Sequence, residues 1–336
     1  MKFYRWLTAF SFGAALALPI LIPVAGAAET AQMKVIVGTS YPNVDVMPIY
    51  ISRELGYFRD EKVSVDLISL ATGDKIVFAL LGGSINVARY TPDWIIRAVE
   101  KGGAKLKIVL AGSNNLVFSL ITANEIKSYA DLKGKRIGVS TIAAADSTLI
   151  QKMLAAHGLG KADYSLIQSG SSPERAAALR AGSLSATLLT PPVDQKVLDD
   201  GGYRRLDLST NVVKRYAWGG EAVREDWATS NKPALLAYMR SWIRANRWLH
   251  DPANKDDAIH ILARETKIDA ATAKLWYEVY FGPDALPVAK DGKLDPVGYQ
   301  ALLDDMTNQG QIGPPAPTPE KYLDTSYWEE AIKSLN

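Results

Sequence analysis

From Met33 onward, short apolar runs alternate with stretches of helical periodicity. The runs Lys34–Gly38, Val63–Ser69, Ile85–Ala88 and Leu106–Ala111 have strand length and end close to Gly, Ser, Thr or Asn. Between them, Met47–Leu55, Lys75–Leu81 and Trp94–Glu100 carry helical spacing, the first closed by Gly56, a residue suited to the left-handed conformation that ends helices. Strand, helix, strand in that order predicts crossover connections and a mostly parallel sheet.

The same pattern restarts after Leu116–Thr122, with strands expected at Arg136–Val139, Tyr164–Gln168 and Ala186–Leu189 and helices at Ser147–His157, Pro173–Ala181 and Asp194–Asp199. A restart predicts a second lobe. Beyond Tyr203 the strands thin out and helices take over at Pro233–His250, Asp256–Thr266 and Ala270–Tyr280. In the first of these, Leu235, Met239, Trp242, Ile243 and Leu249 fall on one stripe and Arg240, Arg244 and Arg247 on the other, the pattern of a packing helix. The segment from Gly310 to Pro319 is rich in Pro and Gly, and Tyr327–Leu335 reads as a last docking helix.

The first residues add a destination. Lys2 and Arg5 precede an apolar stretch from Trp6 to Val24, which ends on Ala25-Gly26-Ala27-Ala28 before the polar Glu29. That is the three-part form of a secretory signal peptide, expected to be cleaved near Ala27 or Ala28. Pro19 and Pro23 break a run that only marginally reaches the ~20 apolar residues a spanning helix needs. The leader carries two of the 38 basic residues and none of the 36 acidic ones, so the net charge of +2 falls to 36 against 36 in the processed chain. A neutral chain offers no general field for nucleic acid or anionic membrane. The absence of Cys removes disulfides, thiolate catalysis and thiolate metal sites together.

Several blocks then carry a resemblance. Pro48–Phe58 (PIYISRELGYF) with Lys62–Leu67 (KVSVDL), Ala79–Ala88 (ALLGGSINVA), Asp131–Val139 (DLKGKRIGV), and Arg175–Ala186 followed by Leu189-Thr190-Pro191-Pro192 resemble, in that order, the sulfonate, taurine, nitrate and thiamine-precursor binding proteins of ABC transporters, the SsuA/THI5-like or NMT1-like family. The resemblance implies an α/β fold of the two-lobed periplasmic-binding-protein type, with two mixed, mostly parallel sheets flanked by helices and a ligand cleft between the lobes. It also implies crossings near Ile121–Ser128 and Tyr203–Asn211. The organisation is then a signal peptide over 1–28, the first lobe over 29–122 and 208–336, and the second over 123–207. The implied partners are a small-molecule ligand and an inner-membrane permease with its ATPase, with the protein monomeric in the periplasm, without cofactor or nucleic acid.

Independently of the family, ligands in open α/β sheets sit beyond the carboxyl ends of the strands, where loop backbone and helix N-termini converge. That rule selects Ser40, Tyr41 and Asn43 after the first strand, Thr72 and Gly73 after the second, Tyr90 and Thr91 after the third, and Asn114 after the fourth. The second lobe offers Ser140, Thr141, Ser169, Thr190 and Pro191, with Ser171 opening a helix at Pro173; capping alone is an equal account of such serines and threonines. Tyr41, Tyr90, Trp94 and Trp218 are candidates for an aromatic wall. Arg89 is the cation placed to meet an anionic ligand, with Asp93 or Asp45 as alternative partners. A small organic anion leads as ligand, and a neutral heteroaromatic such as a pyrimidine is the alternative.

His157, His250 and His260 lack metal-ligand spacing, and the chain has no G-x-S-x-G, phosphate-binding or dinucleotide motif. The residues therefore favour binding over catalysis. A secreted enzyme or a sensor input on the same fold is the runner-up.

Overall fold

The structure, a computed structural model, describes residues 32–40, 44–70, 72–113, 118–142, 145–190, 193–282 and 289–335. Ten strands form two five-stranded sheets. The strands are β1 (Met33–Thr39), β2 (Val63–Ser69), β3 (Val87–Tyr90), β4 (Leu106–Ala111), β5 (Ser119–Ala123), β6 (Arg136–Val139), β7 (Ser165–Gln168), β8 (Ala186–Leu189), β9 (Tyr203–Leu208) and β10 (Gly220–Arg224). The first sheet has the order β2-β1-β3-β10-β4 and the second β7-β6-β8-β5-β9. Each is parallel except for one strand: β10 runs antiparallel between β3 and β4, and β5 antiparallel to β8 and β9. In both sheets the reversed strand is the one by which the chain arrives from the other sheet.

The expected crossings shift accordingly. β5 pairs on both sides in the second sheet and β9 is its edge, so the cut expected between residues 122 and 123 falls inside β5, and Tyr203–Leu208 is sheet, not crossing. The chain passes between the sheets over residues 112–118 and 209–219. The third strand also starts later than Ile85, because Ile85 and Asn86 belong to the turn: their amides bond to Ala79 and Ile36 carbonyls. That shift makes Arg89 and Tyr90 the last residues of the strand.

Apolar burial explains the elements. β4 and β8 are nearly continuous apolar runs because helices cover both faces. The helix Lys232–Leu249 buries Leu235, Met239, Trp242, Ile243 and Leu249 against the first sheet. Its outer arginines pair with carboxylates, Arg240 with Glu61 at 2.5 Å, Arg244 with Asp60 at 3.1 Å and Arg247 with Asp291 at 2.6 Å. A second apolar cluster runs from Ile76 and Ile96 under the first sheet through Tyr216, Leu302 and Met306 to Leu149 and Met153 on the second. Leu302 and Met306 come from the helix Pro296–Asn308, which thus lies at the junction of the lobes. Among the described residues no helix is long and apolar enough to cross a membrane.

Candidate functional site

Because the reversed strands run against their neighbours, their first residues lie beside the carboxyl ends of the parallel ones. Gly220 is level with Tyr90 on one side and Ala111 on the other, and Ser119 is level with Leu189 and Leu208. Both crossing segments therefore rise at the cleft edge of each sheet. They are tied to one another: Gly112 donates to the Gly219 carbonyl at 2.9 Å, and the Trp218 and Gly219 amides to that of Ser113 at 3.0 and 3.1 Å. The Phe118 ring meets the Trp218 indole edge-on at 6.0 Å.

Two cavities open on this edge. The smaller, about 190 Å³, is lined by Thr39, Ser40, Asp45, Arg89, Tyr90, Thr91, Trp218 and Gly219. The larger, about 340 Å³, shares Tyr90, Thr91 and Trp218 with it and adds Trp94, Arg97, Tyr216, residues of the Pro296–Asn308 helix, and Thr141 from the second lobe. Of the residues chosen from the sequence, Ser40, Tyr90, Thr91, Thr141 and Trp218 are thus brought together. Tyr41, Asn43, Asn114 and Pro191 lie outside the described residues, as does the leader.

The others serve local structure. Thr72 is exposed, and its side chain bonds to Asp74 at the start of the helix Gly73–Leu81, helping hold that carboxyl below the usual carboxylate range. Gly73 is buried beneath Trp94, where a Cβ would lie 2.5 Å from the indole. Ser169 turns its hydroxyl to the Ile167 carbonyl at 3.1 Å. Ser171 caps the helix Ser172–Arg180 in a reciprocal box with Glu174, the bland account of that residue.

Ser140 and Thr190 belong to a buried ionic network. Asp146 accepts from the Ser140 amide and hydroxyl at 2.8 and 2.6 Å and faces Arg175 at 3.4 Å. Arg175 also donates to the Leu188 and Gly170 carbonyls and to the Ser172 hydroxyl, which in turn bonds to Thr190. The ends of β6, β7 and β8 are thereby fixed to one guanidinium. Burial pulls that guanidinium below its ordinary pKa while Asp146 and Glu174 oppose it.

Arg89 is different. It is 6% exposed, Nη2 donates to the Asp45 carbonyl at 3.1 Å, and Nη1 has no partner. The alternative partner Asp93 is taken by Arg97 at 2.5 Å. Gly112 makes the placement possible, since a Cβ there would lie 2.1 Å from Nη1. Across the sheet from Arg89 stands Glu221, 1% exposed, with neither oxygen completing a hydrogen bond of normal geometry. Burial pushes the Glu221 carboxyl above the usual carboxylate range, against the pull of Arg89 and the neighbouring Tyr238 hydroxyl. Asp45 is only half-buried as a residue, but its carboxyl faces inward and desolvation raises it too, again against Arg89. Tyr238 and Tyr299, both buried with unpartnered hydroxyls, complete the surroundings.

Sequence reading misses Tyr216 and Arg97, which line the larger cavity, and Glu221, which stands beside Arg89. Only the Trp218-Gly219-Gly220 run hinted at the segment that carries two of their neighbours. Two of the three histidines do packing work, His157 stacked on Tyr129 at 3.6 Å and His250 edge-on to Phe281 at 5.3 Å, and His260 is exposed. No group of metal-ligating side chains occurs among the described residues.

The chain is 24% identical over 300 residues to a putative thiamine biosynthesis protein of Haemophilus influenzae, covering 81% of this chain and 85% of the relative. Its fold is similar to that of the periplasmic aliphatic sulphonate binding protein SsuA of Escherichia coli, with a TM-score of 0.69 at 17% identity over 88% of this chain and 99% of that one. The desulfurization enzyme DSZB shares the fold as well, with a TM-score of 0.67 at 13% identity over 91% and 100% of the two chains. The NMT1/THI5-like family model matches residues 43–212, half of the chain, and the protein belongs to that family.

Proposed function

We propose that this protein is the solute-capturing component of an ABC importer, exported to the periplasm, where it hands a small organic anion to a membrane permease. One observation carries the reading: of two adjoining cavities at the strand ends, the smaller holds a buried cation with an unused donor and the larger takes Thr141 from the second lobe as well as walls from the first. The ligand first meets Arg89, Tyr90 and Trp218 on the first lobe and gains Thr141 as the lobes approach. It shifts the open–closed equilibrium only by its extra affinity for the closed form.

Micromolar capture needs about −8 kcal/mol, which a few hydrogen bonds and one stacked ring supply. No bond in the ligand has to break. The aromatic lining supports a second reading, a neutral heteroaromatic ligand. Mass spectrometry of molecules released from gently purified protein, with small-angle scattering before and after their return, tests the function. A released solute that contracts the protein and comes back unchanged is expected; a solute that is converted, or one that binds without contraction, overturns the receptor reading.

A further inference from the structure

The two cavities differ in chemistry. The smaller holds the Arg89 guanidinium with Thr39, Ser40 and Asp45, and the larger holds more of the rings. Gly112 lets Nη1 lie against its backbone, and Gly219 approaches the same nitrogen, with its Cβ position 3.7 Å away. Asp45 shares the chamber, its carboxyl raised by desolvation against the pull of Arg89.

The larger chamber is aromatic, but its rings are not equivalent. Trp94 is held by Gly73 and by the Arg97 guanidinium 4.5 Å from its centroid, so its ring is already engaged. Trp218, half-buried, lines both chambers and touches Phe118 only edge-on. With Tyr90 it lines both spaces, and it offers the larger face for a ligand that spans them to stack on.

We propose that the solute is an aromatic acid whose carboxylate or sulfonate head sits on Arg89 and whose ring lies against Trp218, an inference that rests on the receptor reading above. An aliphatic acid answers Arg89 in the smaller chamber and leaves the rings of the larger one to water. A neutral ring fills the aromatic chamber and leaves a desolvated guanidinium donor unpaired. Only a molecule with both parts answers both walls.

The test is isothermal titration of the purified protein with benzoate and benzenesulfonate, set against hexanoate, which has the charge without the ring, and benzamide, which has the ring without the charge. Both aromatic acids are expected to bind at least about tenfold more tightly than either control. Arg89→Gln should erase the preference over benzamide and Trp218→Leu the preference over hexanoate. The comparison on the unaltered protein decides the matter even if a variant fails to fold. Equal binding of hexanoate or of benzamide, or no binding of either aromatic acid, overturns the inference. The receptor reading survives that result if another released solute contracts the protein, and falls separately if none does.

Discussion

The guanidinium of Arg89 rests against the backbone of Gly112, so near that a single methyl group at position 112 would stand 2.1 Å from Nη1. The two residues come from β3 and from the first crossing, and their contact sets where the cleft cation points. Gly112→Ala is therefore expected to push the guanidinium aside. Affinity for the solute released from the native protein should fall at least about tenfold, or ~1.4 kcal/mol, with a small change in unfolding midpoint, since a flexible side-chain end can yield. Calorimetric titration of the variant checks this; unchanged affinity would remove Arg89 from the site.

Glu221 predicts an inverted pH effect. Its folded-state pKa is raised above the unfolded one, so the fold favours the protonated form. The stability this contributes is fully present below the unfolded value, about 4.3, and is lost as pH rises through the raised one. Glu221→Gln should therefore gain stability relative to the parent as pH climbs from about 4 toward 8. Urea midpoints across that range measure it, and parallel curves for the two proteins would show that Glu221 ionises in the fold without cost.

Asp146 and Arg175 face each other almost wholly buried. Removing one charge leaves the other without compensation, at a cost of roughly 3–5 kcal/mol. Asp146→Asn should fall near that range and Ser140→Ala, which loses one hydroxyl bond, near ~1 kcal/mol. Chemical denaturation separates the two, and similar losses would mean the network is held by hydrogen bonds more than by charge.

Gly73→Ala probes the wall of the larger cavity. With the indole of Trp94 2.5 Å from the new Cβ, the ring must move, and overpacking of this kind costs about 1–3 kcal/mol. A lowered melting temperature together with a shifted indole N–H resonance of Trp94 is expected. An unmoved resonance would place the strain elsewhere.

Strands and helices with apolar faces were legible from the residues. β2 and β4 begin and end where their apolar runs do, and the stripe of Lys232–Leu249 is buried as its spacing implies. β10 escapes because its sequence, GEAVR, places a glutamate where a buried strand calls for an apolar residue. β9 escapes because an edge strand with Arg204, Arg205 and Asp207 reads as loop. The helix Pro296–Asn308 did leave a signal, Tyr299, Leu302, Leu303 and Met306 at helical spacing after Asp295-Pro296. The strand-end rule finds Ser40, Tyr90, Thr91 and Thr141 together, because it depends only on topology, while Trp218 entered as an aromatic candidate. It cannot tell them from Ser140 and Thr190, whose hydroxyls are spent on a buried ion pair that only the folded chain assembles.

The reversed strands also impose an order of assembly. The second sheet is built from one unbroken stretch and is complete once residue 208 has been synthesised. The first has a vacant slot between β3 and β4 that β10 alone fills, so its edges stay unpaired until residue 224 joins them. The amino-terminal lobe, made first, is finished last. Half of the structure is thereby kept from closing until two-thirds of the chain has been made, and any variant that weakens β10 should lengthen that interval rather than loosen the second lobe.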